Sequence, residues 1–156
     1  MFKLWVLGSS PRRPMFSARM SYEFFDHTAD VGVRVRGGTL AELFQHAAAA
    51  LTELLIERSP VAPQQARAVA LDAASVDGLL RGWLTELLVW FDAERFVMAS
   101  VAFDELSETR LRARVEGERF DPAKHAAGVE VKGVTRHQFR VAQAPGGWEA
   151  EPIVDV

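Results

Sequence analysis

Between residues 31 and 55 the apolar pattern changes its period, and this change constrains the fold more than any other feature of the chain. Val31, Val33 and Val35 alternate with Gly32, Arg34 and Arg36, the two-residue period of a half-buried strand. Gly37-Gly38 ends that run. Thr39-Leu40-Ala41-Glu42 then reads as a capping box. Leu40, Leu43, Phe44, Ala47, Leu51, Leu54 and Leu55 follow the 3.6-residue spacing of a helix, which should end near Arg58, ahead of Ser59-Pro60. A strand with one apolar face and a helix with one apolar stripe each need a layer to pack against, which points to sheet-and-helix layers.

The remaining elements extend that picture. Tyr22 to Phe25 reads as a short strand, and Ala68 to Ala74 as a weakly signalled one behind a proline-containing linker over 61–65. Ser75 can cap a second helix carrying Leu79, Leu80, Trp83, Leu84, Leu87, Leu88 and Phe91 as a broad apolar stripe. Gly82 inside it costs about 1 kcal/mol relative to alanine. Phe96 to Leu106 and Leu111 to Gly117 read as strands joined by a polar turn, and Asp121-Pro122 as a short turn. Val129 to Val141 and Trp148 to Val154 read as a hairpin around Ala144-Pro145-Gly146-Gly147. The order is strand, strand, helix, strand, helix, then four strands with short connections. The expected class is α+β: a two-layer sandwich, its sheet largely antiparallel, with both helices on one face.

A chain of 156 residues, 49% apolar and 25% charged, suits one domain with a real core. With no cysteine it can build neither a thiolate zinc site nor a redox dithiol, which agrees with a reducing, cytoplasmic setting. The net charge is −3, but residues 1–20 hold Lys3, Arg12, Arg13 and Arg19 and no acid, which leaves the rest at −7. An acidic body argues against broad contact with phosphate backbones. Residues 1–20 read as an unpacked basic leader, with Met15 or Met20 as alternative starts, and residues 21–156 as the single domain. Phe2 to Leu7 is too short for a secretory h-region, and no run approaches a membrane span.

Chemistry-bearing motifs are few. Phosphate loops, GxGxxG units and GxSxG elbows are absent, so the chain carries no nucleotide-binding motif of its own. Phe24-Phe25-Asp26-His27-Thr28-Ala29-Asp30 places two carboxylates and an imidazole within five residues. Two readings fit. One is a turn in which Asp and Thr side chains satisfy backbone N–H groups. The other is an oxygen-rich site for a hard cation. In a straight strand Asp26 and Asp30 would stand about 13 Å apart, so sharing an ion requires a bend at Thr28-Ala29, or else only one of the two is a ligand. Asp155 follows Ile153-Val154, which read as a strand that ties this end down, and it too is either an ordinary surface acid or a ligand. Lys132 falls on the polar side of its expected strand, where solvation is the default. His46 is expected to face solvent, His125 follows a turn, and His137 lies in a strand.

Several segments together resemble the archease family, protein cofactors of RtcB-type RNA ligases. They are Tyr22 to Gly32, Gly38 to Phe44, the helix Leu79 to Phe91, Gly117 to Asp121 with Lys124-His125, Val129 to His137, Gly146-Gly147-Trp148, and Val154-Asp155-Val156. The resemblance covers the chain from about Tyr22 onward, and Gly133 stands where the family usually has alanine. It implies a strand-helix-strand-strand module with an inserted subdomain. It also implies a divalent ion, Ca²⁺ foremost with Mg²⁺ or Mn²⁺ as alternatives, held by Asp30, Asp155 and the main-chain carbonyl of Val156. Asp26 and His27 would support that site, and Lys132 would act in ligase activation.

The implied function is not catalysis. It is promotion of ligase guanylylation and multiple turnover in tRNA splicing or RNA repair, with RNA contacted only indirectly. Two other classes stay open: a small metal-dependent hydrolase using Asp26, His27 and Asp30, and a chaperone-like modulator of RNA-modifying enzymes.

Overall fold

The computed structural model describes residues 22–27, 30–57, 59–136 and 139–156, and for His27 the backbone alone. The basic leader, the Thr28-Ala29 bend and His137 therefore lie outside the described residues.

Two strands open the domain, β1 (Tyr22–His27) and β2 (Asp30–Gly37). Helix α1 (Leu40–Leu55) follows, then β3 (Gln65–Asp72) and helix α2 (Val76–Glu94). Strands β4 (Phe96–Leu106) and β5 (Arg110–Arg119) form a long hairpin. Four short strands close the chain: β6 (Gly133–Val134), β7 (Val141–Ala144), β8 (Gly147–Ala150) and β9 (Ile153–Asp155). This is an α+β fold whose named strands all pair antiparallel.

The strands divide between two sheets, where one was expected. Three of them, β3-β5-β4, form a small sheet, and the other six form a large sheet built around β2. Both helices touch both sheets: α1 packs on β2 and β4, and α2 packs on β4 and β6. The second sheet arises because β5 pairs with β3 on one side and β4 on the other, rather than with β2.

Local signals account for the helices. The Thr39 hydroxyl accepts from the Glu42 N–H at 3.1 Å, and the Glu42 carboxylate reaches back to the Gly38 N–H at 2.7 Å. Ser75 caps α2 by accepting from Gly78. Helix α1 stops at Leu55, three residues before Arg58, because Ile56 turns extended and bridges to Ala127. The α1 stripe meets Val31, Val33 and Val35 in the core, and the Trp83 indole N–H donates to the Phe44 carbonyl at 3.0 Å. Burying side chains of this size stabilises the fold by about 1.5–3 kcal/mol each. No helix among the described residues is long and apolar enough to cross a membrane.

The end of the chain departs most from expectation. Val129 to Lys132 is not strand, and among its described residues the segment read as one strand over 129–141 holds β6 and the first residue of β7. Trp148 to Val154 is interrupted at Pro152. Both β8 and β9 lie along β2 in one register, Val35 opposite Ala150 and Gly32 opposite Ile153. Between them the Pro152 carbonyl accepts from Val33, but proline has no N–H to return. The β7–β8 hairpin turns on Pro145-Gly146, and Gly146 at φ +85° supplies the left-handed residue of a type II turn.

Candidate functional site

Strand β2 is paired along both of its sides. Across β1, His27 stands opposite Asp30 and Asp26 opposite Val31. Across β9, Asp155 stands opposite Asp30 and Val154 opposite Val31. Strand β6 continues the row, with Gly133 opposite Asp155. Since side chains directly opposite share a face, Asp30 and Asp155 stand side by side on the face away from Val31 and Val154. Residues from the two ends of the domain are thereby neighbours, with β-carbons about 4.5–5.5 Å apart.

Asp30 is half-buried and Asp155 exposed. Neither side-chain carboxylate has a hydrogen-bond or ion-pair partner among the described residues. Two carboxylates directly opposite each other repel and destabilise a sheet. At Gly133, a side chain built on the backbone would meet nothing within 4 Å, so the row ends in a notch beside Asp155. The exposed Lys132 is placed here through its backbone, its N–H donating to the Asp155 carbonyl at 2.7 Å. Val156 is half-buried and packs against the core.

The other side of the site is rigid. Phe25 lies opposite Gly32, and its ring covers the glycine so closely that an added β-carbon would come within 2.2 Å of it. Arg34 holds the ring from above, 4.7 Å from its centroid, while bonding Glu151 at 2.9 Å and facing Glu23 at 3.7 Å. Any larger residue at position 32 would displace the Phe25 ring.

The chain reverses between His27 and Asp30, and this decides the earlier distance question. Asp26 ends on the Phe24 and Val31 side of the ladder, opposite to Asp30. Asp26 and Asp30 therefore lie on opposite faces of the ladder. Among the described residues, no group of three or more His, Cys, Asp or Glu side chains is placed to hold a metal ion. What the register does assemble is a pair, Asp30 with Asp155. An all-oxygen pair suits a hard cation, provided that further oxygens come from main chain, water or a partner.

A second acidic constellation was not foreseen. Glu118, 5% exposed, accepts from the Ala62 N–H at 2.8 Å, from Lys124 at 2.7 Å and from His125 Nε2 at 3.0 Å. These donors, the Ala62 amide first, hold its carboxyl down at about 2. His125 Nδ1 accepts from the Asp121 N–H at 2.9 Å, so its proton sits on Nε2, facing Glu118. His125 is therefore a buried structural link. His46 differs too: it is half-buried, with Nδ1 2.6 Å from the Arg36 carbonyl. The signal for the Glu118 cluster lies in Gly117 to His125, but a seven-residue spacing around Asp121-Pro122 matches no regular repeat.

Comparison with known proteins agrees with this architecture. The family model for the Archease protein family (MTH1598/TM1083) matches residues 22–156. Protein archease of Sulfurisphaera tokodaii is 36% identical over 137 residues, covering 86% of this chain and 98% of that one. The solution structure of Methanobacterium thermoautotrophicum protein 1598 superposes with a TM-score of 0.73 at 32% identity, covering 88% of this chain and 99% of that one. A crystal structure from Thermotoga maritima, described as an archease and possible chaperone, shares the fold at 12% identity with a TM-score of 0.57, over 85% of this chain and 94% of its own. With its sheet register, its acid pair and these matches taken together, this chain belongs to the archease protein family.

Proposed function

We propose that this protein is a non-catalytic, cytoplasmic activator of an RtcB-type RNA ligase, promoting guanylylation and multiple turnover of that enzyme in tRNA splicing or RNA repair. The observation that carries the reading is the cross-strand pair Asp30 and Asp155, two carboxylates without a partner among the described residues, on the outward face of the large sheet. A surface that keeps like charges side by side loses stability, and a bound cation is one use that offsets the loss.

Asp30, Asp155 and the Val156 carbonyl would hold a divalent ion, with Ca²⁺ favoured because it takes six to eight oxygens in flexible geometry. These residues supply only part of such a shell. The ion would bring a concentrated positive charge and positions open to oxygens of the partner. Lys132, fixed beside Asp155 through its main chain, adds a second exposed cation to the same surface. Such a surface could dock at the ligase active site and shift its metals or product. Phe25, held between Gly32 and Arg34, gives the surface a fixed shape next to the acid pair.

The test is single-turnover guanylylation of the ligase with and without this protein. Asp30→Ala with Asp155→Ala should abolish the stimulation while the thermal unfolding profile stays cooperative. Equal stimulation by the double variant would refute the reading. Stimulation of unrelated RNA-modifying enzymes by the native chain would favour the broader, chaperone-like role instead.

A further inference from the structure

The C-terminal end of α2 and the segment that follows β5 enclose a cleft of about 630 Å³. That volume falls within the range of small-ligand sites. Its floor is aromatic: the Phe91 and Phe120 rings stand edge to face, 6.3 Å apart. Its rim is basic. Arg95 lies with its guanidinium 4.9 Å above the Phe91 ring, and Arg119 is brought next to it because the Phe120 N–H donates to the Arg95 carbonyl at 2.7 Å.

Two features set these arginines apart. Neither has a carboxylate partner among the described residues, although Asp92 and Glu130 line the same cleft. Arg67, in the adjoining depression, is by contrast neutralised by Glu94 at 2.6 Å. The second feature is the backbone of Arg95, which closes α2 in the left-handed region at φ 58°. Glycine is the usual residue there, and among the described residues Arg95 is the one non-glycine with positive φ. A strained residue that presents a cation over an aromatic ring is a reason to look for a ligand.

We propose that this cleft binds a small anion carrying a flat ring, of which a nucleoside monophosphate is the type. An arginine pair matches the fork of oxygens on a phosphate or carboxylate. Phe91, Phe120 and the Arg95 plane offer stacking surfaces for the ring. Asp92 and Glu130 accept from ring N–H groups or sugar hydroxyls and disfavour a bare, multiply charged anion. The site uses no phosphate loop, and neither Asp30 nor Asp155 lines it, so either site can fail without the other.

The experiment is an amide NMR titration of the full chain with AMP, with adenosine, inorganic phosphate and indole-3-carboxylate as separate arms. AMP should give saturable shifts at Arg95, Phe120 and Val129 to Val131. Adenosine and phosphate alone should each bind at least about tenfold more weakly. Arg95→Gly keeps the left-handed backbone at no steric cost and removes the side chain with its guanidinium. It should weaken AMP about tenfold, as should Arg119→Gln. Tighter binding of indole-3-carboxylate than of AMP assigns the same site to a carboxylate ligand. Absence of saturable cleft shifts with both ring-bearing anions, native affinity in Arg95→Gly, or phosphate binding as tightly as AMP would each overturn the proposal.

Discussion

Glu118 and the Asp30–Asp155 pair are acids that this fold handles in opposite ways. Glu118 is buried and receives three donors, from Ala62, Lys124 and His125. Asp30 and Asp155 face each other across β2 and β9 with no donor among the described residues. A buried carboxylate without partners would be strongly unfavourable, so Glu118 must be satisfied from within the chain. A carboxylate pair at the surface can be left unsatisfied, since water screens part of the repulsion. The first arrangement holds the Asp121 turn and the linker at Ala62 to the end of β5. The second holds nothing together and leaves charge available to something outside the chain.

Three experiments test that contrast, and the largest effect concerns cation binding. Replacing Asp30 and Asp155 together by Asn should lower Ca²⁺ affinity by on the order of a hundredfold in a calorimetric titration, because affinity at oxygen sites follows ligand charge. Glu118→Gln should leave that titration unchanged. If the two variants bind Ca²⁺ alike, the division between a structural and an available acid fails.

The next effect is on stability. Glu118→Gln should lower the melting temperature by several degrees, since it leaves Lys124 and His125 facing a neutral group. The pH dependence has a definite sign. The Glu118 carboxyl titrates near 4.5 in the unfolded chain and at about 2 in the folded one. Its contribution is therefore complete above pH 4.5 and is lost as pH falls toward 2. The native chain should lose stability over that window, and Glu118→Gln should show a flatter acid limb. Parallel acid limbs would mean that Glu118 is not the acid that matters there.

The smallest effect concerns repulsion alone. In chelator at low salt, Asp155→Asn should stabilise the protein by about 0.2–1 kcal/mol, because it removes one of two like charges directly opposite. The gain should shrink at high salt. A lower melting temperature for Asp155→Asn would show that the carboxylate already has a stabilising partner.

How far the sequence could be read depended on how local each signal was. Thr39, Ser75 and the apolar stripes behind them located both helices, because caps and a 3.6-residue period are set within a few turns. The Val31, Val33 and Val35 alternation located β2 for the same reason. The segment over 129–141 was misread because its alternating valines mimic a strand. Among its described residues Gly133, Val134 and Val141 find a partner strand, and Val131 is buried without one. The Glu118 cluster had no periodic signal: Lys124 and His125 reach it around an irregular turn, and Ala62 from a linker far away in sequence.

The same division holds for the candidate site. Composition, motif and resemblance singled out Asp26, His27, Asp30, Lys132, Asp155 and Val156, and they established an α+β fold of the archease family without any coordinates. They could not say which of the acids meet. That was decided by register: β1 turning back onto β2 sends Asp26 to one side of the ladder and Asp30 to the other, while β9 lays Asp155 opposite Asp30. The physical reason is the pleat. Side chains alternate faces along a strand, so a one-residue change in pairing would reverse every assignment, and pairing between distant strands is set by the packed core rather than by neighbours in the chain.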